Sequence, residues 1–544
     1  MRPGPPALLA CLVACGASPS PDVTDAATDG SRDARPDAPA DGARDGATDG
    51  SVDGSFDADA TDAAADAGPP PRDDRFPWSE HEVPVPTIDC AAADARHIRS
   101  LDDLTALDDP AARIFCVHPG DYRAAGVLEL TASGSETAPR MLVLYDPERA
   151  GESTHPVRLD VDRRATFAGF RIQGARYWIL ERLAFDLEFA RTNTLVDGAG
   201  HNVVDRALIE HYGGSGFSVE DGCHDNTLQN SVVREGPRYV GDRIAVILHA
   251  NGAGRVTTLR TRIVNNEIYN GTDAIQLHRF DTGGSHSDFA GTIIENNDLY
   301  ADETAQVPCP TGGGTCGLFE NGLDIKSGSD DPLSPVIVRN NRVWGWRRTD
   351  PASGSDSWGT AILVHNESQY VLVQSNTVFD SSRGIGVLPR EGDGRITVID
   401  NYVARITDDG NSGAYALVPY SGSGLEIYRN VIFGARNWLS SESASLDVRC
   451  NVVLEAPEVS AGGALSADYN FTYAAASLGG PHDIHRDAVS DARHEPRCFH
   501  VQMWTGPREV CLPNLQETDA SPHHGACDPS LGSLPGYGVH DERW

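Results

Sequence analysis

Gln374-Ser-Asn376-Thr-Val378 returns as Ile399-Asp-Asn401-Tyr-Val403, as Tyr428-Arg-Asn430-Val-Ile432 and as Arg449-Cys-Asn451-Val-Val453. The same form is legible upstream around Asn341, Asn297, Asn266 and Asn230, with Glu181 and Asp205 in its place in still earlier turns. The intervals run from the low twenties to the forties, so the shortest set a minimal repeat and the longer ones hold insertions. Each unit alternates apolar and other residues with period two, which is the pattern of short strands. One such unit cannot bury its inner face alone, whereas stacked units share a continuous core. Asn at a bend tolerates left-handed backbone angles, and stacked Asn side chains can hydrogen-bond from coil to coil. Helical solenoids are excluded because no segment sustains a 3.6-residue period. A propeller calls for blades of near-constant length.

Over roughly residues 95 to 460 this array resembles the pectate-lyase-like right-handed parallel β-helix superfamily. Arg113-Ile-Phe-Cys-Val-His-Pro-Gly-Asp-Tyr122 resembles the opening strand and turn of such proteins. The resemblance implies an all-β chain with a β-helix over 76–480. Residues 481–544, rich in Cys, His and Pro, read as a small disulfide-tied C-terminal cap over the open end of the stack. Because that fold hosts many activities, function has to be argued from side chains.

The chain has 544 residues and a formal net charge of -35, a field that repels nucleic acid and anionic lipid. Its start reads as an export signal: Arg2, then an apolar run from Ala7 to Ala14 ending at Cys15, too short to span a bilayer. Leu12-Val-Ala-Cys15 resembles the lipobox of bacterial lipoproteins, which implies cleavage after residue 15's predecessor, lipidation of Cys15 and, with Gly16 next, an outer-membrane address. Residues 16–75 are Asp-, Ala- and Gly-rich with almost nothing apolar to bury, so they read as a disordered tether. Eleven cysteines in an exported chain imply disulfides. Cys309 and Cys316 flank a Gly-rich loop and are expected to pair; Cys90 with Cys116 is a further pairing, and Cys223 is expected to be buried in a rung.

A second alignment carries the functional reading. Val246-Ile-Leu-His249, Ile275-Gln-Leu-His278, Leu323-Asp-Ile-Lys326, Ile362-Leu-Val-His365 and Ile385-Gly-Val-Leu388 align by their apolar first and third residues. Those two point inward, so the second and fourth point outward. The fourth position forms a column of His249, His278, Lys326 and His365, with Glu220 below it. The second supplies Ser218, Gln276 and Asp324. Lys326 is the only lysine in the chain. Solvated strand faces are ordinarily mixed Thr, Ser, Arg and Glu, and a ladder of partly exposed polar residues without a ligand is the bland alternative.

Cleaving a uronic-acid polymer by β-elimination requires a base for the proton alpha to the carboxylate, a cation to neutralise that carboxylate, and an acid for the leaving oxygen. The column offers Lys326, His278, His365 and His249, with Arg279 as a carboxylate clamp. Lys326 serves as the base if neighbouring cations and a bound metal lower its pKa. Asp324, Asp273, Glu320, Asp330 and Asp331 are the candidate ligands for Ca2+. Gln276, Glu220, Arg234, Arg238, Trp344 and Trp358 are candidate substrate contacts. The arrangement is similar to β-helix polysaccharide lyases in pairing a basic residue with acidic neighbours, but it lacks their Trp-Ile-Asp-His segment. It also lacks the acidic pair that inverting hydrolysis needs. The reading is therefore a monomeric, lipid-anchored protein of the outer membrane, periplasmic or surface-facing. It acts on acidic polysaccharide as a lyase or C5-epimerase; the alternative is a non-catalytic glycan-binding or adhesion protein.

Overall fold

The computed structural model describes residues 79–145 except 87, 163–235 except 221, 243–249, 256–278, 287–301, 319–347, 359–389, 394–407, 414–419, 424–441, 445–462, 464–486, 494–503 and 506–515. The chain divides into two units, residues 1–65 and 66–544. Cys15, the tether and the Cys309–Cys316 pair lie outside the described residues.

Unit 66–544 is built from coils of three short strands. The first strand of a coil precedes the Asn bend, as in Val371–Gln374; the second follows it, as in Thr377–Phe379; the third is the column strand, as in Arg383–Pro389. Equivalent strands of successive coils pair in parallel, giving sheets of 14, 14 and 12 strands. Inward positions stack on themselves. Val338, Val373, Val398 and Ile427 line the first sheet, and Val343, Val378, Val403 and Ile432 the second, all at most 2% exposed. Branched side chains suit these positions because their stiff χ1 matches the pleat and loses little freedom on burial.

A ladder of side-chain amides runs up the bend between the first two sheets. Asn376 donates from Nδ2 to Asn401 Oδ1 at 2.9 Å and to the Val338 carbonyl at 3.0 Å, while its own Oδ1 accepts the Asn341 backbone N–H at 3.0 Å. Asn266, Asn297, Asn341, Asn401, Asn430, Asn451 and Asn470 repeat the arrangement. Two sequence expectations are corrected here. The ladder position upstream of Asn266 is Ser231, not Asn230, and the register makes Glu181 and Asp205 equivalent to Gln229, the end of the preceding strand. The left-handed residue is also the one before the ladder Asn: Asn265, Asn296, Asn340, Ser375, Asp400, Arg429 and Cys450 all have φ between 55° and 59°. The ladder Asn is therefore selected for its amide and not for its backbone.

The stack opens with Ala95–Ile98 paired on Ile114–Val117, locked by the Cys90–Cys116 disulfide. Tyr122 of the Pro-Gly-Asp-Tyr turn donates its hydroxyl to the Ile98 and His118 carbonyls. At the other end of the chain His494–Met503 and Gly506–Leu515 form an antiparallel hairpin. Its Val510 and Leu512 bury against outward residues of the second sheet, including Phe379, Tyr402 and Val431. The hairpin thus lies on the flank of the stack. Cys223 is fully buried, and Cys450 and Cys511 are both disulfide-bonded.

Candidate functional site

The third sheet sets the column. Val246 pairs with Ile275, Ile275 with Leu323, Leu323 with Ile362 and Ile362 with Ile385, all inward and at most 1% exposed. Outward, Ser218, Ile247, Gln276, Asp324 and Leu363 share the second position, with Glu220, His249, His278, Lys326 and His365 two residues on. The second-position residues face outward yet are buried, Asp324 at 1% and Gln276 at 3% exposure, while the fourth-position ones are half-buried. The register slips by one residue between Ile325 and Ser327, beside Lys326. An extra residue at a bulge re-aims the neighbouring side chains.

Asp324 is the hub. Its Oδ1 accepts from His365 Nε2 at 2.7 Å, and its Oδ2 receives Lys326 Nζ at 3.1 Å and Gln276 Nε2 at 2.9 Å. The same Gln276 amide donates to Asp273 Oδ2 at 2.8 Å, so one NH2 group bridges two buried carboxylates. The other Asp273 oxygen accepts both the backbone N–H of Asn321 at 3.0 Å and its Nδ2 at 3.2 Å. Asn321 was not singled out from sequence. Its signal is the register that sets it directly on Asp273 across 48 residues of chain.

The two carboxyls behave differently. Burial pushes Asp273 well above the usual carboxylate range, and the nearby charges of Asp324 and Glu320 push it further. Burial also works against ionised Asp324, but the hydrogen bond and charge of His365 and the charge of Lys326 outweigh it and hold the group down. Lys326 is raised: burial disfavours its charge, and the charges of Asp324 and Asp273 more than compensate. This corrects the expected base. The immediate partner of Lys326 is an anion, so it stays an ammonium ion.

Two coils lower, Ser218 Oγ donates to Glu220 Oε1 at 2.7 Å, and His249 Nε2 lies 3.0 Å from Ser218 Oγ and 2.9 Å from Glu220. The His249 and His278 rings meet edge-on at 6.5 Å.

Other predicted contacts lie elsewhere. Trp344 points outward from the second sheet and is 2% exposed, sandwiched between Tyr300 at 4.6 Å and Phe379 at 5.4 Å. It cannot stack on a sugar. Trp346 is wholly buried in the core. Arg234, also on the second sheet, donates through Nε and Nη2 to Glu210 at 3.1 and 2.8 Å. Asp330 and Asp331 fall in the turn beyond the Lys326 strand, where Asp330 takes Gln369 at 3.0 Å and Asp331 takes the Leu333 N–H at 2.9 Å. They do not join Asp324. Glu320 precedes the strand, close enough to act on Asp273 and Lys326. Arg238, Arg279 and Trp358 lie outside the described residues.

The sequence matches no family model and no curated protein. Solved structures do match. A PL6 family alginate lyase, AlyGC, is similar at 14% identity and a TM-score of 0.50, over 79% of this chain and 56% of that one. An alginate lyase from Paenibacillus sp. str. FPU-7 is 17% identical with a TM-score of 0.38, over 56% of this chain and 94% of that one. PfbA, a surface adhesin of Streptococcus pneumoniae, is 12% identical with a TM-score of 0.45, over 75% and 93%. The likeness to AlyGC, with the three parallel sheets, fixes the architecture. The chain is a right-handed parallel β-helix. At these identities the likeness is one of fold, and activity rests on this β-helix's own side chains.

Those side chains do not fit Ca2+ at the hub. A calcium ion needs six to eight oxygen ligands. Each oxygen of Asp324 and Asp273 already accepts from nitrogen donors, one of them an ammonium ion. What the arrangement offers is a cation and an imidazole held on opposite oxygens of one ionised carboxylate. An imidazole that gives one N–H to a carboxylate has its second nitrogen fixed as a base.

Proposed function

We propose that the column binds an acidic polysaccharide and cleaves it by β-elimination. The observation that carries this reading is the Asp324 hub, which holds Lys326 and His365 on one outward face. Lys326, about a quarter exposed, neutralises the uronate carboxylate and so stabilises the carbanion-like state. His365, with Nε2 committed to Asp324, takes the proton alpha to the carboxylate on Nδ1. The electron pair of that C–H bond forms the new C=C bond, and the C–O bond to the neighbouring sugar breaks. His278, in register below Lys326, gives the leaving oxygen its proton. Gln276 keeps Asp324 aimed. Re-delivery of a proton to the carbanion instead of loss of the leaving group would make the same site a C5-epimerase.

The protein is proposed to reach its substrate as an exported lipoprotein anchored through Cys15 in the outer membrane. The Cys90–Cys116 disulfide supports an oxidising compartment.

The test incubates the protein with polymannuronate, polyguluronate, pectate and glycosaminoglycans and follows the ultraviolet absorbance of unsaturated uronate. One of these is expected to yield product in the presence of EDTA. Lys326→Met and His365→Ala should each lower turnover by roughly 10²–10⁴-fold with the fold intact. Binding on an affinity gel without product assigns the alternative, a glycan-binding or adhesion protein. Full turnover in Lys326→Met removes the hub from the mechanism.

A further inference from the structure

Away from the column, the corner leading from the third sheet back to the first carries a second set of coordinating side chains. Parallel bridges from Arg176 to Gly200, Gly200 to His224 and His224 to Leu259 keep this corner in register. One residue further on, Tyr177, His201, Asp225 and Arg260 occupy equivalent positions, all left-handed with φ between 52° and 59°. Their side chains therefore leave successive coils at the same point.

The contacts among them are specific. The Tyr177 and His201 rings stack at 4.7 Å and 3°. His201 meets His224 edge-on at 5.2 Å and 83°. Asp225 Oδ2 lies 2.9 Å from His224 Nδ1 and 3.9 Å from His201 Nε2. One ligand atom from each of the three lies within 4.8 Å of the others. Arg260 grips the same carboxylate, Nε to Oδ1 and Nη2 to Oδ2, both at 2.7 Å. Gly200 clears the space for the His224 ring, since a Cβ there would come within 2.6 Å of Cε1.

We propose that His201, His224 and Asp225 bind one divalent transition-metal ion of the zinc, copper or nickel class, bridging two successive coils. Two imidazoles and a carboxylate suit these ions and not calcium or magnesium. The groups are half-buried, which leaves the remaining coordination positions to water. Their supports are those a metal site needs: Arg260 orients the carboxylate and Tyr177 the imidazole. Among the described residues His201 makes no hydrogen bond through its ring nitrogens, so its lone pair is not already spent. The contrast with Glu210, His211 and Glu235 is informative, because those atoms also cluster within 4.8 Å. There His211, the cluster's one imidazole, is engaged on both nitrogens, by Asp186 at 3.1 Å and Glu235 at 2.8 Å. That cluster is a closed ion-pair network.

The ion would tie two coils together and stabilise the stack by mass action. The test is calorimetric titration of the full chain, made without an affinity tag, with zinc, copper and calcium chlorides, alongside thermal unfolding. Zinc and copper are expected to bind at one site that calcium does not fill, and to raise the melting temperature. Copper bound there should show nitrogen splitting from two imidazoles in its electron paramagnetic resonance spectrum. His201→Gln and His224→Gln should each weaken binding at least about tenfold. Gly200→Ala, which removes no ligand, should do the same by displacing His224. His482→Gln should change nothing. The proposal fails if the wild-type chain takes up neither ion, or if uptake persists in the His201→Gln/His224→Gln double variant.

Discussion

Asp273 and Asp324 are one coil apart, share a single amide, and are expected to respond in opposite ways to the same substitution. Asp324 is an ionised carboxylate with three nitrogen donors, two of them on charged or chargeable groups. Asp324→Asn leaves Lys326 facing a neutral group in a buried setting. Removing one partner of a buried pair costs about 3–5 kcal/mol; with Lys326 a quarter exposed, a loss of about 2–3 kcal/mol is expected in denaturant unfolding. Asp273 is the reverse case, because its folded-state pKa lies above its unfolded value. The stability it contributes is present at pH below about 3.9 and declines as pH rises through the folded value. Asp273→Asn removes that decline, so the variant should gain on the wild type as pH climbs from 4 toward neutrality, and should stay within about 1 kcal/mol of it at pH 7. Lys326 offers a direct check on the hub. As the only lysine, it gives one side-chain resonance in protein labelled with 13C-lysine, and that resonance should titrate above the ordinary value of about 10.4. Asp324→Asn should bring the titration down. The stripe of histidines and lysine was legible because period two assigns a face without any knowledge of neighbours. The charge state of Lys326 was not, because period two puts Asp324 on the same face without showing that the two meet at 3.1 Å, and the added charge of Asp273 comes from the neighbouring coil.

At the scale of the coil, the Asn bend separates two demands that the sequence reading had merged. The residue before the ladder Asn must adopt a left-handed backbone, and Ser, Asp, Arg and Cys all do so here. Within the ladder the Asn amide supplies both a donor and an acceptor, and where Ser231 or Asp483 stands in its place the oxygen alone accepts from the neighbouring coil. Asn376→Ala deletes two donated bonds and leaves the Asn341 backbone N–H and Nδ2 without their shared acceptor. At about 1 kcal/mol per bond, and about 1–3 kcal/mol for each buried group left unsatisfied, a loss of about 3–4 kcal/mol is expected. Ser375→Gly should be near neutral, because relief of left-handed strain and the added unfolded-state entropy of glycine are each about 1 kcal/mol and opposed. Urea unfolding of the two variants side by side measures the difference. Equal effects would mean that backbone angle, not the amide, selects Asn. The repeat itself was visible from these bends. Asn230 lies one residue before the ladder position because Ser231 fills it, and Glu181 and Asp205 lie two residues before it.

Across the whole of unit 66–544, the segment of residues 79–85 does what no single coil can: it crosses the outer face of the first sheet and ties several coils together. Glu295, 3% exposed on that face, accepts from Ser79 Oγ and from His81 Nδ1 at 2.9 Å and is ion-paired with Arg339, whose Nε lies 2.7 Å away. Val83 exchanges two hydrogen bonds with the side chain of buried Gln229, and Glu82 accepts from Asn230 and Asn265. The polar outward groups of the first sheet are thus satisfied by a segment more than 140 residues distant, which no local pattern around Gln229 or Glu295 discloses. Two truncations separate the roles of the chain before the stack. A protein beginning at residue 78 keeps every one of these contacts and should melt within about 2 °C of the full chain, the size of shift that well under 1 kcal/mol gives in a large domain. A protein beginning at residue 88 keeps the Cys90–Cys116 disulfide but takes Ser79 and His81 from Glu295, Val83 from Gln229 and Glu82 from Asn230 and Asn265. Unsatisfied buried polar groups cost about 1–3 kcal/mol each, so a loss of several degrees is expected. Thermal unfolding followed by circular dichroism reads both. A chain from residue 88 that melts with the full chain would show that water satisfies these groups as well as the segment does.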